Sequence, residues 1–285
     1  MLPTADSEFN LKCGRFRVLL IIFAVFLLGT VLYCVYELVT TEVGCGIALV
    51  TAVSSNHYAA SRAFLQSAQK AVSMASHRVV VSITVYDLGL TPNERQTLEN
   101  DFPRYMFKRF PYEQFPSYYN VQVAAGEYAW KPAILQIEYA QSQCHILWMD
   151  AGDSFKRARG ALKRIADRFD EVPVQTSRST GNVGQWIHHG MQAKLGFIGN
   201  GSTPMCNGAF VGLRHGDPVV QTLVNEWAAC AADKTCIAPE GSSRANHRQD
   251  QAALTLLMHR HGIAGECSTN NLAIYGVSLH NDGSG

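Results

Sequence analysis

The stretch HILWMDAGD, residues 145–153, runs from a buried type of strand into an acid, a glycine turn and a second acid. Together with IALVTAV at residues 47–53 it decides the fold class. Continuous apolar runs of this kind suit strands covered on both faces, as in a parallel sheet flanked by helices. In such sheets ligands bind outside the carboxyl ends of the strands, so the acid that ends HILWM stands where a ligand is expected.

Outward from this stretch, strand-like and helix-like patterns alternate. Strands are expected over 47–53, 79–86, 105–110, 144–150 and 209–213. Helices are expected over 61–75, 92–100, 132–142, 155–169 (a basic amphipathic one), 218–231 and 249–261. That order predicts an α/β domain with a largely parallel sheet. No internal repeat or low-complexity linker divides it.

Composition adds a second element. The chain has 285 residues, 47% hydrophobic and only 16% charged, whereas soluble domains carry about 25% charged residues. A net charge of +1 argues against a nucleic-acid partner. Residues 18–36, VLLIIFAVFLLGTVLYCVY, hold no formal charge and span about 28 Å as a helix, close to the hydrocarbon thickness of a membrane. Lys12, Arg15 and Arg17 precede the run; Glu37 and Glu42 follow. The positive flank predicts a type II protein: a cytosolic tail (1–17), a single-span signal anchor (18–39), a short stem (40–46) and a luminal domain (47–285). The competing reading is a cleaved signal peptide, but the run is long for one and no A-x-A site follows.

Beyond the span stand Cys45, Cys144, Cys206, Cys230, Cys236 and Cys267. An even number in an oxidising lumen suggests disulfides, with Cys230–Cys236 the best local pair; no C-x-x-C supports a metal site. Asn200-Gly201-Ser202 is the one N-glycosylation sequon.

Three positions could carry chemistry. Asp150 reads equally as a ligand- or metal-facing acid and as an Asx turn capping the next helix. Asp250 shares an inward stripe with Ala253, Leu254 and Leu257, with His247 one turn earlier; an inward acid needs a partner, which favours function. Lys131, beside Pro132 at a helix start, opposes the helix dipole unless an anion is near. On its residues alone it reads as exposed and snorkelling. Ser54, Ser55, Asn56 and His57 follow the first strand and read either as a nucleoside contact or as a polar turn. No G-x-S-x-G, Walker loop or H-E-x-x-H is present.

The landmarks VYDLGL (85–90), YAWKP (128–132), LWMDAGD (147–153) and HRQDQAAL (247–254) resemble those of GT-A glycosyltransferases, in particular poorly characterised type II members. The order of strand-end acid, Asn-Gly strand and Asp-Gln helix is also similar to the glycogenin-like family 8 enzymes. The likeness covers about residues 46–279. It implies a GT-A, Rossmann-like domain that moves a sugar from a nucleotide-sugar donor to a glycan or glycoprotein acceptor in the Golgi or another secretory membrane. It also implies a divalent metal, Mn2+ or Mg2+, on Asp150, Asp153 and His280. Ser54, Asn56 and His57 would lie near base and ribose. Lys131, Asn207, Gly208, Asp250 and Gln251 would contact the donor, Asp250 being the candidate catalytic carboxylate. Three departures stand out: the acids are spaced D-A-G-D rather than D-x-D, Asn207-Gly208 lacks an intervening residue, and the chain ends soon after His280. The altered D-A-G-D and the short tail support an alternative, a non-catalytic luminal protein that binds a glycan or a partner.

Overall fold

The computed structural model describes residues 27–30, 46–75, 79 and 81–279. The chain divides into two compact units, Met1–Gly44 and Cys45–Gly285. In the first, residues 27–30 are helical; the rest of the expected anchor, and the tail before it, lie outside the described residues. Among the described residues no helix is long and apolar enough to cross a membrane.

The second unit is an α/β domain around a six-stranded sheet. Its strands are β1 (Ile47–Val53), β2 (Val81–Asp87), β3 (Met106–Arg109), β4 (His145–Met149), β6 (Val174–Gln175) and β9 (Phe210–Leu213). The order is β3-β2-β1-β4-β9-β6. The first four strands are mutually parallel, while β9 runs antiparallel to β4 and β6. Two short antiparallel pairs complete the strands: β5 (Ser154–Phe155) with β10 (Val277–Ser278), and β7 (Arg178–Asn182) with β8 (Pro204–Cys206). The expected mostly parallel sheet is present. Both β6 and β9 pair as four residues or fewer, too short for a pattern of alternation to reveal their direction.

All seven residues of β1 are buried, as a strand covered on both sides requires. Its pleat sends alternate side chains to opposite faces. Ile47, Leu49 and Val53 pack in one core with Phe64, Leu65 and Ile165. Ala48, Val50 and Ala52 join the other core with Ile134, Trp148, Trp227 and Leu254. The helices α1 (Tyr58–Ser73), α2 (Pro92–Asp101) and α4 (Ala161–Arg168) cover the first face; α3 (Trp130–Gln141), α5 (Pro218–Ala232) and α6 (Gln249–Arg260) cover the second. Local signals set several starts. Thr91 and Glu94 form a reciprocal capping box before α2, with Pro92 in its first turn. Asp217 caps α5 by accepting from the N–H groups of Val219 and Val220.

The expected basic helix over 155–169 is a correction. Residues Ser154–Phe155 are a strand, and α4 spans only Ala161–Arg168. Gly160 adopts φ +70°, which ends any helix running through it and starts a new one. Helix α3 begins at Trp130 rather than Pro132, so Pro132 sits inside the first turn, where its missing N–H costs nothing. Disulfides join Cys230 to Cys236, the pair favoured by spacing, and Cys206 to Cys267; Cys144 is also disulfide-bonded.

Candidate functional site

Connections from β1 lead to β2 on one side, and the chain returns to place β4 on the other. The strand order therefore reverses between β1 and β4, the switch point where the carboxyl ends of strands open a crevice. Asp150 stands at the end of β4. Its N–H donates to the carbonyl of Ala209 at 2.9 Å, fixing the start of β9 beside it. A cleft of about 360 Å³ opens there; Lys131, Asp150, Asn207, Gly208, Asp250 and Gln251 are among the residues lining it.

At its base an ammonium is held between two carboxylates. Lys131 Nζ lies 2.9 Å from Asp150 Oδ1 and 3.1 Å from Asp250 Oδ2, and donates to the Gly208 carbonyl at 3.1 Å. Lys131 is 3% exposed. The exposed, snorkelling reading is thus overturned: the anion that offsets the helix dipole is supplied by two aspartates. Burial opposes the lysine charge, but Asp150 and Asp250 outweigh it and raise its pKa above the ordinary lysine value. A buried cation of this kind is tolerated only because it is paired.

The two acids differ. The Asp150 side chain is 40% exposed and that of Asp250 8%. Trp148 Nε1 donates to Asp150 Oδ1 at 2.7 Å, so one oxygen is held by the protein. Asp150 therefore faces the cleft, and the Asx-turn reading does not describe it, although Asp153 N–H donates to the Asp150 carbonyl. Asp250, in the first turn of α6, is held from behind by Trp227 Nε1, which donates to its carbonyl at 2.9 Å. Its Oδ2 is within ion-pair distance of Lys131, yet no hydrogen bond of acceptable geometry reaches that atom. At 3.1 Å the ammonium compensates the charge of this buried oxygen. Burial, the largest cause, raises the Asp250 pKa; Lys131 opposes this and Asp150 adds to it.

Asn207 and Gly208 complete the floor. Asn207 Oδ1 accepts from the N–H groups of Ala209 and Phe210 at 2.7 and 3.3 Å, which shapes the turn into β9. A Cβ on Gly208 would sit 3.2 Å from Gln251 Cβ and 3.4 Å from Asp250 Oδ2, so glycine lets the floor approach α6. Gln251 Nε2 donates to Ser179 Oγ at 3.0 Å.

Sequence reasoning missed the mouth of the cleft. Arg178, Arg244 and Arg248 line it. Arg248 stacks over Trp186 at 4.1 Å, and Arg244 lies over the Tyr128 ring at 5.5 Å while donating to its hydroxyl. Each arginine sits in a polar segment of no regular period, and the stacking partners are distant in sequence. The wall bearing Tyr128 is strained. Five consecutive residues, Ala124 to Tyr128, have φ between +46° and +65°, a left-handed turn that costs non-glycine residues roughly 1–2 kcal/mol each. Gln249, next to Asp250, has φ +29° and donates to Glu127 at 3.4 Å. Strain of this kind gathers at functional sites.

Other candidates fall elsewhere. Ser54, Asn56 and His57 stand at the carboxyl end of β1, and Ser54 Oγ donates to Asn56 Oδ1 at 2.6 Å; they do not line this cleft. His247 is buried and structural. Its Nδ1 accepts from the His188 N–H at 3.3 Å and its Nε2 meets the Ile237 carbonyl at 3.0 Å. Asn200 is exposed in its loop. His280 lies outside the described residues.

The expected divalent metal was tested against these residues. Asp150 Oδ1 is engaged by Trp148 and Lys131. Asp153 is 2% exposed and absent from the cleft lining. Among the described residues no group of three histidine, cysteine, aspartate or glutamate side chains gathers to hold a metal. The Lys131 ammonium already occupies the space between the two carboxylates that would otherwise face a cation. The described residues do not fit the ion.

A mostly parallel sheet flanked by helices, with a cleft at the end of its central strand, is the architecture the sequence landmarks imply. No family model matches the chain and no curated protein matches it. Among solved structures, the chain is similar to mouse xyloside xylosyltransferase 1 in its apo form (13% identity, 79% of this chain and 84% of that one, TM-score 0.46). It is similar to the galactosyltransferase LgtC in complex with donor and acceptor sugar analogues (16%, 83% and 80%, 0.45). It is also similar to core-mannan synthase A of Aspergillus fumigatus in a Mn/GDP form (8%, 78% and 71%, 0.47).

Proposed function

We propose that the chain is a glycosyltransferase that takes a sugar from a nucleotide-sugar donor, with the cleft around Lys131 as the donor site. The observation that carries this reading is the Asp150–Lys131–Asp250 cluster at the strand-order switch, with arginines at its mouth. A buried, charge-compensated carboxylate beside a cationic opening matches a reaction in which a sugar loses an anionic diphosphate.

In the reaction, the bond between the anomeric carbon and the β-phosphate oxygen breaks and the electron pair leaves with the diphosphate. A bond from an acceptor hydroxyl oxygen to that carbon forms, and the hydroxyl proton is lost. Preorganised cations stabilise the leaving charge without reorganising at the moment of reaction. Asp250, which lines the cleft, takes up the hydroxyl proton, and its raised pKa makes it a stronger base than a solvated aspartate. Gln251 and Asn207 hold the sugar, and Gly208 keeps the floor low enough for it. The sequence further supports a type II protein anchored by residues 18–39, working on a glycan or glycoprotein in the Golgi or a neighbouring compartment, with Asn200 glycosylated.

The test is release of nucleoside diphosphate from a panel of nucleotide-sugars by the full chain in detergent, with water or glycan acceptors. Release by wild type and its loss in Asp250→Ala, at unchanged thermal stability, supports the reading. A folded wild type that binds no donor and releases nothing favours a non-catalytic glycan- or partner-binding protein.

A further inference from the structure

We propose that this cleft binds the donor diphosphate without a divalent cation, the arginines Arg178, Arg244 and Arg248 supplying the positive charge while Lys131 compensates the two acids of the floor. The inference rests on the donor-site reading above and concerns how that site recognises its ligand.

The charge pattern argues for it first. The described residues lining the cleft carry four permanent cations, Lys131, Arg178, Arg244 and Arg248, against two carboxylates, Asp150 and Asp250. A site for a hard dication offers it one or two carboxylates beside the substrate phosphates, whereas both acids here are turned to Lys131. Here the surplus is positive by two, which matches the two negative charges of the diphosphate in a nucleotide-sugar rather than those of a metal complex of it.

The geometry argues for it second. Asp150 and Asp250 both turn toward one ammonium, and a third bond ties that ammonium to the Gly208 carbonyl. Lys131 Nζ also lies 5.3 Å from the centre of the Trp148 ring. A side chain fixed from four directions is part of the site and not a stray surface lysine. The second acid of D-A-G-D is buried away from the lining; the extra residue relative to D-x-D has turned it out of the cleft. Arg248 and Arg244 are preorganised: stacking on Trp186 and on Tyr128 limits the rotamers that would be lost on binding. Planar guanidinium groups donate in pairs to phosphate oxygens, the contact a metal would otherwise make.

The experiment is isothermal titration of UDP, GDP and their sugar conjugates into the detergent-solubilised full chain, once in EDTA and once in Mn2+ or Mg2+. The expected result is binding by at least one nucleotide whose Kd agrees within about threefold between the two buffers. The double variant Arg244→Gln/Arg248→Gln, with wild-type thermal stability, is expected to weaken binding in EDTA at least tenfold. Binding in metal buffer only would overturn this inference and leave the glycosyltransferase reading standing. Metal-independent binding that the arginine variant leaves unchanged would overturn the cationic mouth. No binding in either buffer, by folded protein, would overturn both readings.

Discussion

Lys131 Nζ lies 2.9 Å from Asp150 and 3.1 Å from Asp250, so one ammonium joins the end of β4 to the start of α6. Without it, two carboxylates would face each other in a cleft from which Asp250 is almost shut off from water. The arrangement makes the lysine a structural clamp at the base of the cleft.

Replacing Lys131 by methionine removes the shared partner of two acids. Breaking a buried pair costs about 3–5 kcal/mol, and Lys131→Met is expected to lose stability in that range in denaturant unfolding at pH 7. Lys131→Arg should lose less. A loss below about 1 kcal/mol for the methionine variant would show that the cluster is not the clamp described.

For Asp250→Asn the expectation is different. Transfer should fall at least 100-fold, within the usual range for removing a general base. The melting temperature should hold, because Lys131 keeps Asp150 and the burial cost of one charge is gone. In the wild type the Asp250 pKa is raised, first by burial. The active carboxylate form is therefore lost, as pH falls, at a higher pH than for a solvated aspartate. A pH–rate profile checks this sign.

His247 sets a pH dependence of stability. Burial lowers its pKa to about 4, against about 6.5 in an unfolded chain. The unfolded state thus binds the proton first as pH falls. The contribution is fully present above about pH 6.5 and is lost progressively down to about pH 4. Unfolding free energy should drop by a few kcal/mol across that window, and His247→Gln should flatten the curve.

Gly126 lies in the left-handed turn at φ +65°, and a Cβ there would meet the Tyr119 carbonyl at 2.3 Å. Gly126→Ala is expected to cost about 2 kcal/mol or more, from the turn's own strain and the clash. Because the turn places Tyr128, nucleotide affinity should fall with it; calorimetry on the folded variant reads that loss.

Much of the architecture was legible because it rests on local, long-range-independent signals. The apolar runs of β1 and β4 and the starts of α2 and α5 at residues 92 and 218 could be read directly. The inward stripe of α6 foretold the burial of Asp250. The rest was hidden for physical reasons. Strand β6 is two residues long and carries no pattern. The basic run at 155–169 has helical composition, but its conformation is decided by one glycine at 160. Lys131 looked solvent-exposed because its two partners are 19 and 119 residues away in the chain. Arg178, Arg244 and Arg248 converge only once β7, the loop before α6 and the cleft are folded together.

The most direct test of the account is thermal unfolding of the full chain against saturating nucleotide-sugars, for wild type and for Lys131→Arg. A ligand at about 100 times its Kd adds about 2.7 kcal/mol to the folded state. The account predicts a raised melting temperature with at least one nucleotide class, reduced in the variant in proportion to its weaker binding. A folded wild type whose melting temperature no nucleotide-sugar moves would contradict it.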